Sequence, residues 1–207
     1  MGTEWDDTVE VIDVVTAAWE QLSRRSVYRN RWIEVVEDMV RLPNGHETVY
    51  GVVRCGECVG VLPFVDEDHV LLVQQFRYVA GHPTWEMPTG GVHAGESIED
   101  AARRELAEEA GVSAAQLVEV NRNHTSKSVV EETAHLFVAY GLDEVESRPD
   151  TTELLRTEVW PFDAVLDMVL RSEITDSMTV IAVLLADRSR RAGKGTSRPM
   201  PNAEPSP

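Results

Sequence analysis

The segment 90–112 constrains the fold of this chain more than any other part of the sequence. Its central residues have helix-forming spacing, and Gly111 stands where a helix C-terminal cap is expected. Ser97 is a good N-cap, and the acidic Asp100 three residues later suits the positive end of the helix dipole. The sequence therefore predicts one short helix with defined ends between residues 97 and 111.

The acidic residues of this helix share a face with its apolar residues. At about 100° per residue, Glu105 and Glu109 project into the apolar stripe and Glu108 flanks it. The apolar stripe consists of Ile98, Ala101, Ala102 and Leu106. Two like charges one turn apart on an inward face raise each other's pKa, and their burial is costly unless a cation lies among them.

The acidic cluster therefore predicts a metal site. Acidic residues on a helix usually form a solvated face, but that interpretation fails where two of them point towards the interior. Carboxylate-rich coordination favours a hard cation, and such sites often take further ligands from water and substrate phosphates. We expect Mg²⁺, with Mn²⁺ as the alternative. The expected ligands are Glu105, Glu108 and Glu109, with Glu96 as an additional or outer ligand.

The same segment resembles an unbroken Nudix box, the signature of hydrolases that act on a nucleoside diphosphate linked to another moiety. Upstream, residues 71–78 and 85–91 are similar to the strand and turn that precede the box in the branch that cleaves ADP-ribose and nucleotide sugars. Downstream, residues 174–176 are similar to the opening of the last helix in that branch. The resemblance covers about residues 20 to 187.

This resemblance implies an α/β fold, a Nudix-type α/β/α sandwich with a mixed sheet, preceded by an N-terminal β-strand subdomain. We predict a disordered N-terminus at 1–8, a strand-rich subdomain at 9–51, the Nudix hydrolase domain at 52–187 and a flexible tail at 188–207. In similar enzymes the N-terminal strands exchange with a partner, so we predict a homodimer. The alternative is that these strands only extend the sheet of one monomer.

The resemblance also implies roles for residues around the acidic cluster. The backbone carbonyl of Thr89 is expected to coordinate the metal. Arg104 is expected to orient the carboxylates through bidentate hydrogen bonds, although taken alone it could form a surface salt bridge. Arg77 is expected to hold a substrate phosphate, and Glu86 is expected to contact the substrate.

The general base is predicted from a second pattern. In similar enzymes, a glutamate on the loop after the box, shortly before a strand, activates the attacking water. The register of the Glu-x-x-His-Leu-Phe pattern favours Glu132 over its neighbour Glu131. A solvated loop carboxylate is the alternative for either residue. Glu132 therefore joins Glu109 and Arg104 as a catalytic candidate.

Two observations bear on the substrate. Enzymes specialised for ADP-ribose carry a proline in the loop after the box, and residues 126–130 contain none, which shifts weight towards nucleoside diphosphate sugars in general. Tyr28 and Trp32 are candidates for stacking on the base across a dimer, and core packing is the alternative for both.

The composition predicts a cytoplasmic enzyme. The net charge of −17 over 207 residues argues against a general nucleic-acid or membrane surface. No run approaches the roughly 18 apolar residues of a membrane-spanning helix, and the first residues do not form a signal peptide.

Cys55 and Cys58 form a lone CxxC between two apolar runs. Gly56 and Glu57 are expected to make a hairpin turn that places the cysteines as neighbours on paired strands. Because there is no second CxxC, this structural interpretation is preferred to a zinc site or a redox pair.

These inferences converge on a Mg²⁺-dependent pyrophosphohydrolase that cleaves a nucleoside diphosphate sugar or ADP-ribose to a nucleoside monophosphate and a sugar phosphate. One alternative is a hydrolase of modified nucleoside triphosphates. The other is a catalytically silent nucleotide-binding regulatory module, which has no need of a complete set of metal ligands.

Overall fold

The computed structural model describes residues 18–147 and 154–193. The chain divides into two compact units, the first made of Met1–Cys55 and Ser126–Glu131, the second of Gly56–Thr125 and Glu132–Pro207. The division along the chain therefore falls between Cys55 and Gly56, close to the predicted start of the second domain at residue 52. Residues 1–8 lie outside the described part of the chain.

The described elements are nine strands and three helices. The strands are β1 (Glu20–Arg29), β2 (Glu34–Arg41), β3 (Glu47–Pro63), β4 (His69–Arg77), β5 (His82–Glu86), β6 (Thr89–Gly91), β7 (Val112–His124), β8 (Val130–Glu144) and β9 (Arg156–Pro161). The helices are α1 (Ile98–Ala110), α2 (Phe162–Leu170) and α3 (Ser177–Gly193).

In the first unit, β1, β2 and the first half of β3 pair in antiparallel order. In the turn between β2 and β3, the N–H of Leu42 donates to His46 O at 2.8 Å and Gly45 has φ 83°. Three residues on one face of β2 are buried: Val36, Asp38 and Val40. The charged Asp38 thus lies between two apolar side chains. Arg24 balances this carboxylate with two hydrogen bonds of 2.8 Å.

In the second unit, one sheet has β7 next to β8 and β8 next to β3, with β6 paired to β3, and a second sheet has the order β5-β4-β9. The N–H of Val53, in the first unit, donates to Val129 O, immediately before β8. The N–H of Phe64, just after β3, donates to Ala139 O. The donor residue on β3 and the acceptor residue on β8 both move forward along the chain from one bond to the next, so β3 and β8 run parallel. β6 pairs antiparallel with β3, and β7 pairs antiparallel with β8. The sheet is mixed, as predicted.

Alternating residues of the central strands face two separate apolar cores within the second unit. Val59 and Val61 of β3 pack in the core that contains Leu106 of α1. Leu62, on the opposite face of β3, packs in the core that contains Phe162 of α2 together with apolar residues of α3. Since strand side chains alternate between faces, α1 covers one face and α2 with α3 covers the other. This confirms the predicted α/β/α sandwich.

The predicted hairpin turn at Gly56 and Glu57 is wrong. β3 runs without a break from Glu47 to Pro63, so Cys55 and Cys58 lie on the same strand. Gly56 has φ 92°, a conformation that glycine adopts without strain. It lies where β3 changes partner, since the residues up to Arg54 pair with β2 and those from Cys58 pair with β6.

The chain also differs from the prediction at its C-terminal end, because α3 continues through residues 188–193, where a flexible tail was expected. The guanidinium of Arg190 lies 4.6 Å from the ring centroid of Phe162 and donates to Asp68 Oδ1 at 2.8 Å. These contacts hold the last turns of the helix against the domain. Residues 194–207 lie outside the described part of the chain. Within 18–147 and 154–193, no helix is long and apolar enough to cross a membrane.

Candidate active site

Both ends of α1 form as the sequence predicts. The N-cap Ser97 accepts a hydrogen bond from the N–H of Asp100 at 3.1 Å. At the other end Gly111 adopts φ 67°, and its N–H donates to Ala107 O at 3.1 Å. The caps fix where the helix begins and ends, and its buried apolar residues, including Leu106, fix which side faces the sheet.

The inward face of α1 carries two carboxylates. Glu105 is 7% exposed and Glu109 is 2% exposed, and between them Leu106 is fully buried. The predicted burial of both acids is therefore confirmed. Glu105 lies so close to Gly90 that a Cβ at that position would be 1.9 Å from the Oε1 atom of the glutamate. A side chain at residue 90 would displace the Glu105 carboxylate from this position.

Arg104 contacts three of the predicted acidic residues at once. It forms a bidentate pair with Glu96, at 2.9 Å from Nε and 3.0 Å from Nη2. Its Nη1 donates to Glu105 at 2.6 Å and to Glu108 at 3.1 Å, and its Nη2 also donates to Gly91 O at 2.9 Å. The hydrogen bonds from Arg104 lower the pKa of Glu96 to about 2.

Glu109 meets the backbone of the segment that precedes the box. The N–H of Thr89 donates to Glu109 Oε2 at 2.9 Å. Thr89 is also the first residue of β6, where it pairs with Gly60 of β3. The fold thus brings Thr89 and Glu109 together, through the N–H of Thr89; coordination of a metal by its carbonyl stays a prediction.

Arg77 and Glu86, both predicted to contact the substrate, pair with each other across β4 and β5. The distance from Arg77 Nε to Glu86 Oε1 is 2.8 Å, and Nη2 lies 3.4 Å from the Thr89 hydroxyl. Burial raises the pKa of Glu86, opposed by this arginine. Burial works to lower the pKa of Arg77, but the hydrogen bond and charge of Glu86 and the charges of Glu109 and Asp176 outweigh it and raise that pKa.

The two candidate bases have different partners. Glu131 forms an ion pair with Arg54 at 2.8 Å. Glu132 is partly buried, and its carboxylate accepts a hydrogen bond from the hydroxyl of Thr125 at 2.7 Å. Both glutamates lie inside β8, not on the loop that was predicted to precede the strand. β8 begins at Val130, before its last residue pair with β7, which joins His124 and Thr133.

Tyr28 and Trp32 are exposed to 54% and 66%, so core packing is the wrong interpretation for both within the described structure. The Trp32 ring lies against the guanidinium of Arg31, with Cζ 3.9 Å from the ring centroid. The Tyr28 hydroxyl accepts a hydrogen bond from Asn30 at 3.3 Å.

The acidic cluster fits a divalent cation in the kind of its donors. Two buried carboxylates one helical turn apart, with Glu108 beside them, are hard oxygen donors of the type that such cations bind. In the described arrangement Arg104 draws Glu105 and Glu108 to itself. Across residues 18–147 and 154–193, no three His, Cys, Asp or Glu side chains are grouped so as to hold a metal ion. Cation binding therefore requires these side chains to turn away from the arginine.

Comparison with known families assigns the chain. The model of the NUDIX domain matches residues 56–179, more than half of the sequence. The chain belongs to the Nudix family. The match covers nearly all of the second unit that is described, including α1 and its acidic residues. In this Nudix protein, residues 19–53 also match the nucleoside diphosphate sugar hydrolase N-terminal domain.

Curated relatives and a solved structure agree with the assignment. This Nudix protein is 29% identical over 164 residues to the ADP-ribose pyrophosphatase of Bacillus subtilis (strain 168), covering 78% of this chain and 89% of the relative. It is 30% identical over 170 residues to the ADP-ribose pyrophosphatase of Mycobacterium tuberculosis, covering 80% and 82%. The crystal structure of an ADP compounds hydrolase superposes with a TM-score of 0.76 at 25% identity, over 86% of this chain and 97% of that one. The prediction of a Nudix pyrophosphatase is confirmed.

Two threonines at the site of this Nudix enzyme escaped the sequence analysis. Thr125 contacts Glu132, and Thr179 accepts a hydrogen bond from the N–H of Met87 at 3.0 Å. A single threonine forms no motif, and each contact depends on strands or helices that only the fold brings together. The only local signal was the position of Thr179 three residues after Asp176, which is a spacing typical of helix starts.

The paired state of Glu96 predicts a pH dependence of stability. The pKa of Glu96 falls from its ordinary value of 4.5 to about 2 on folding, so its contribution to stability is present above pH 4.5 and is lost as the pH falls towards 2. We expect the free energy of unfolding of Glu96→Gln to lie below that of the wild type at neutral pH, and the difference to shrink across this range. Urea titrations at a series of pH values measure it.

The matched control is Glu99→Gln, which removes an exposed carboxylate from the first turn of α1. A difference in unfolding free energy between Glu96→Gln and the wild type that stays constant as the pH falls from 4.5 to about 2 contradicts the pairing.

Proposed function

We propose that this Nudix enzyme is a Mg²⁺-dependent pyrophosphohydrolase that cleaves a nucleoside diphosphate sugar or ADP-ribose to a nucleoside monophosphate and a sugar phosphate. The observation that carries the proposal is the pair of buried carboxylates, Glu105 and Glu109, on the inward face of a helix in a matched Nudix domain. The match of residues 19–53 to the N-terminal domain of nucleoside diphosphate sugar hydrolases supports this substrate class.

Nudix hydrolases generally use divalent metal ions, and Mg²⁺ is the proposed ion here, with Mn²⁺ as the alternative. The proposed ligands are Glu105, Glu108, Glu109 and the Thr89 carbonyl, with Glu96 as an outer ligand. A bound divalent ion would neutralise negative charge on the oxygens of a pyrophosphate and lower the pKa of a bound water. Arg104 would then keep its bidentate pair with Glu96, while Glu105 and Glu108 would exchange their contact with the arginine for the ion.

Arg77 is the proposed phosphate-binding residue. Its side chain is 41% exposed, whereas that of its partner Glu86 is only 4% exposed. The guanidinium is therefore held by a buried carboxylate while part of it stays exposed to solvent, which suits contact with an anionic ligand. In this arrangement Glu86 acts on the substrate through Arg77.

Glu132 is the proposed general base. It belongs to the same compact unit as α1, and a hydroxyl donor orients its carboxylate. Glu131 belongs to the other unit, and its charge is balanced by Arg54. Because Arg54 already occupies the Glu131 carboxylate, Glu132 is preferred as the group that contacts the attacking water.

A homodimer built through the N-terminal strands remains our proposal for the assembly. The exposure of Tyr28 and Trp32 supports a role in stacking on the base of a substrate, since neither ring is used in the core of the described chain. A cytoplasmic location, and the absence of nucleic-acid and membrane partners, stay predictions that rest on the net charge of −17.

The test of the proposal is a panel of substrates with and without Mg²⁺. The panel comprises ADP-ribose, ADP-glucose, GDP-mannose, UDP-glucose and modified nucleoside triphosphates, with chromatographic identification of the nucleotide product. We expect Mg²⁺-dependent release of a nucleoside monophosphate from one or more diphosphate compounds. Turnover of the triphosphates alone, or saturable binding without turnover, contradicts the proposal.

The ligand assignment predicts the behaviour of Glu109→Gln. Because this change removes charge from the buried acid pair, turnover falls by orders of magnitude while the fold is retained. The rate is measured as a function of Mg²⁺ concentration, with circular dichroism as the measure of folding. Glu99→Gln, on the exposed side of the same helix, is the control and keeps the wild-type rate. A rate close to wild type for Glu109→Gln at limiting Mg²⁺ shows that the assignment is wrong.

The base assignment predicts a different result for Glu132→Gln. The variant keeps its affinity for metal, but its chemical step slows by roughly 10²–10⁴-fold, the usual contribution of a general base. Single-turnover kinetics measure this step, with Glu131→Gln as the matched variant. If Glu131→Gln is the slow one and Glu132→Gln is not, the base is Glu131.

A further inference from the structure

Thr179 lies in the first turn of α3 and is fully buried. Its hydroxyl donates to Asp176 Oδ2 at 2.7 Å, and its N–H donates to the same oxygen at 2.7 Å. The carboxylate of Asp176 therefore holds both the backbone and the hydroxyl proton of Thr179. With its proton committed in this way, the hydroxyl oxygen is oriented as an acceptor.

The group that this oxygen accepts from is the N–H of Met87, at 3.0 Å. Met87 and Thr179 are 92 positions apart in the chain, so the bond joins the last helix to the segment that precedes the Nudix box. A buried N–H without an acceptor costs free energy comparable to a lost hydrogen bond. The Thr179 hydroxyl therefore determines where Met87 settles.

The segment 87–89 transmits this position to the acidic cluster. Pro88 has no N–H, and its carbonyl accepts from the N–H of Val61 at 2.9 Å. The next N–H, that of Thr89, donates to Glu109 at 2.9 Å. The two N–H groups of the segment are thus divided between Thr179 on one side and Glu109 on the other.

Packing leaves the segment little room to move. Met87 is fully buried, and a Cβ on Gly60 would lie 2.3 Å from its methyl carbon and 3.0 Å from that of Met178. The side chain of Met87 is therefore packed directly against the backbone of β3 at Gly60.

We infer that Thr179, held by Asp176, is a positioning residue of the active site: it sets the segment 87–89, and through Thr89 the carboxylate of Glu109, for divalent-ion binding. The part of the inference that concerns the divalent ion rests on the proposed function. The part that concerns the position of segment 87–89 rests on the hydrogen bonds alone. The start of α3 is thereby part of the framework that positions the acidic cluster.

The experiment compares Thr179→Val, which keeps the shape and removes the hydroxyl, with Thr179→Ser, which keeps the hydroxyl. Thr175→Val, at an exposed threonine four residues earlier, is the matched control. Amide hydrogen exchange at Met87 and Thr89 is measured by NMR without ligand. Mn²⁺ affinity is measured by electron paramagnetic resonance without substrate, and the dependence of turnover on ion concentration is measured separately from kcat.

For Thr179→Val we expect faster exchange at both amides and roughly 10-fold or greater loss of Mn²⁺ affinity, the usual effect of removing a group that orients a metal ligand. Thr179→Ser and Thr175→Val should match the wild type in both measurements. Wild-type exchange at Thr89 in Thr179→Val, or a folded Thr179→Ser that behaves like Thr179→Val, overturns the inference.

Two further arms keep the result decisive. If Thr179→Val does not fold, Thr179→Ala replaces it, because alanine and serine differ only by the hydroxyl. If the wild type hydrolyses no member of the substrate panel, the proposed function fails. The exchange of Met87 and Thr89 still decides whether Thr179 positions the segment.

Discussion

The burial of two carboxylates on the packing face of α1 is the constraint on which the rest of the structure depends. Glu105 and Glu109 lie on the side of the helix that must also cover the sheet. Buried charge is tolerated only where hydrogen bonds or opposite charges compensate it. Arg104 and the backbone N–H of Thr89 supply such contacts, at 2.6 Å and 2.9 Å. The same face of the helix thus serves packing and chemistry.

The elements around α1 are arranged to provide that compensation. β6 is only three residues long. Its pairing with β3 holds Thr89 opposite Glu109, and the glycine at residue 90 leaves room for the carboxylate of Glu105. α3, on the other face of the sheet, reaches the same segment through the Thr179 hydroxyl. Segment 87–89 is therefore held at one end by the bond from Met87 to Thr179 and at the other by the bond from Thr89 to Glu109.

Local signals predicted the elements whose ends are set by adjacent residues. α1 has the expected caps at Ser97 and Gly111. The predictions that failed depended on distant partners. Gly56 suggested a turn, but β3 continues because its two halves pair with β2 and β6. The basic residues after 187 suggested a tail, but Arg190 has a partner in Asp68, 122 positions away.

The sequence by itself determined the family, the helix that carries the acids, and the inward direction of Glu105 and Glu109, because caps and helical periodicity act over a few residues. The tertiary structure decided which donor meets each acid: Arg104 for Glu96, Thr89 for Glu109, Thr125 for Glu132. It also decided that Tyr28 and Trp32 lie at the surface. The physical reason is that a side-chain hydrogen bond requires its two atoms within about 3 Å, and only the packing of the sheet and helices brings distant residues that close.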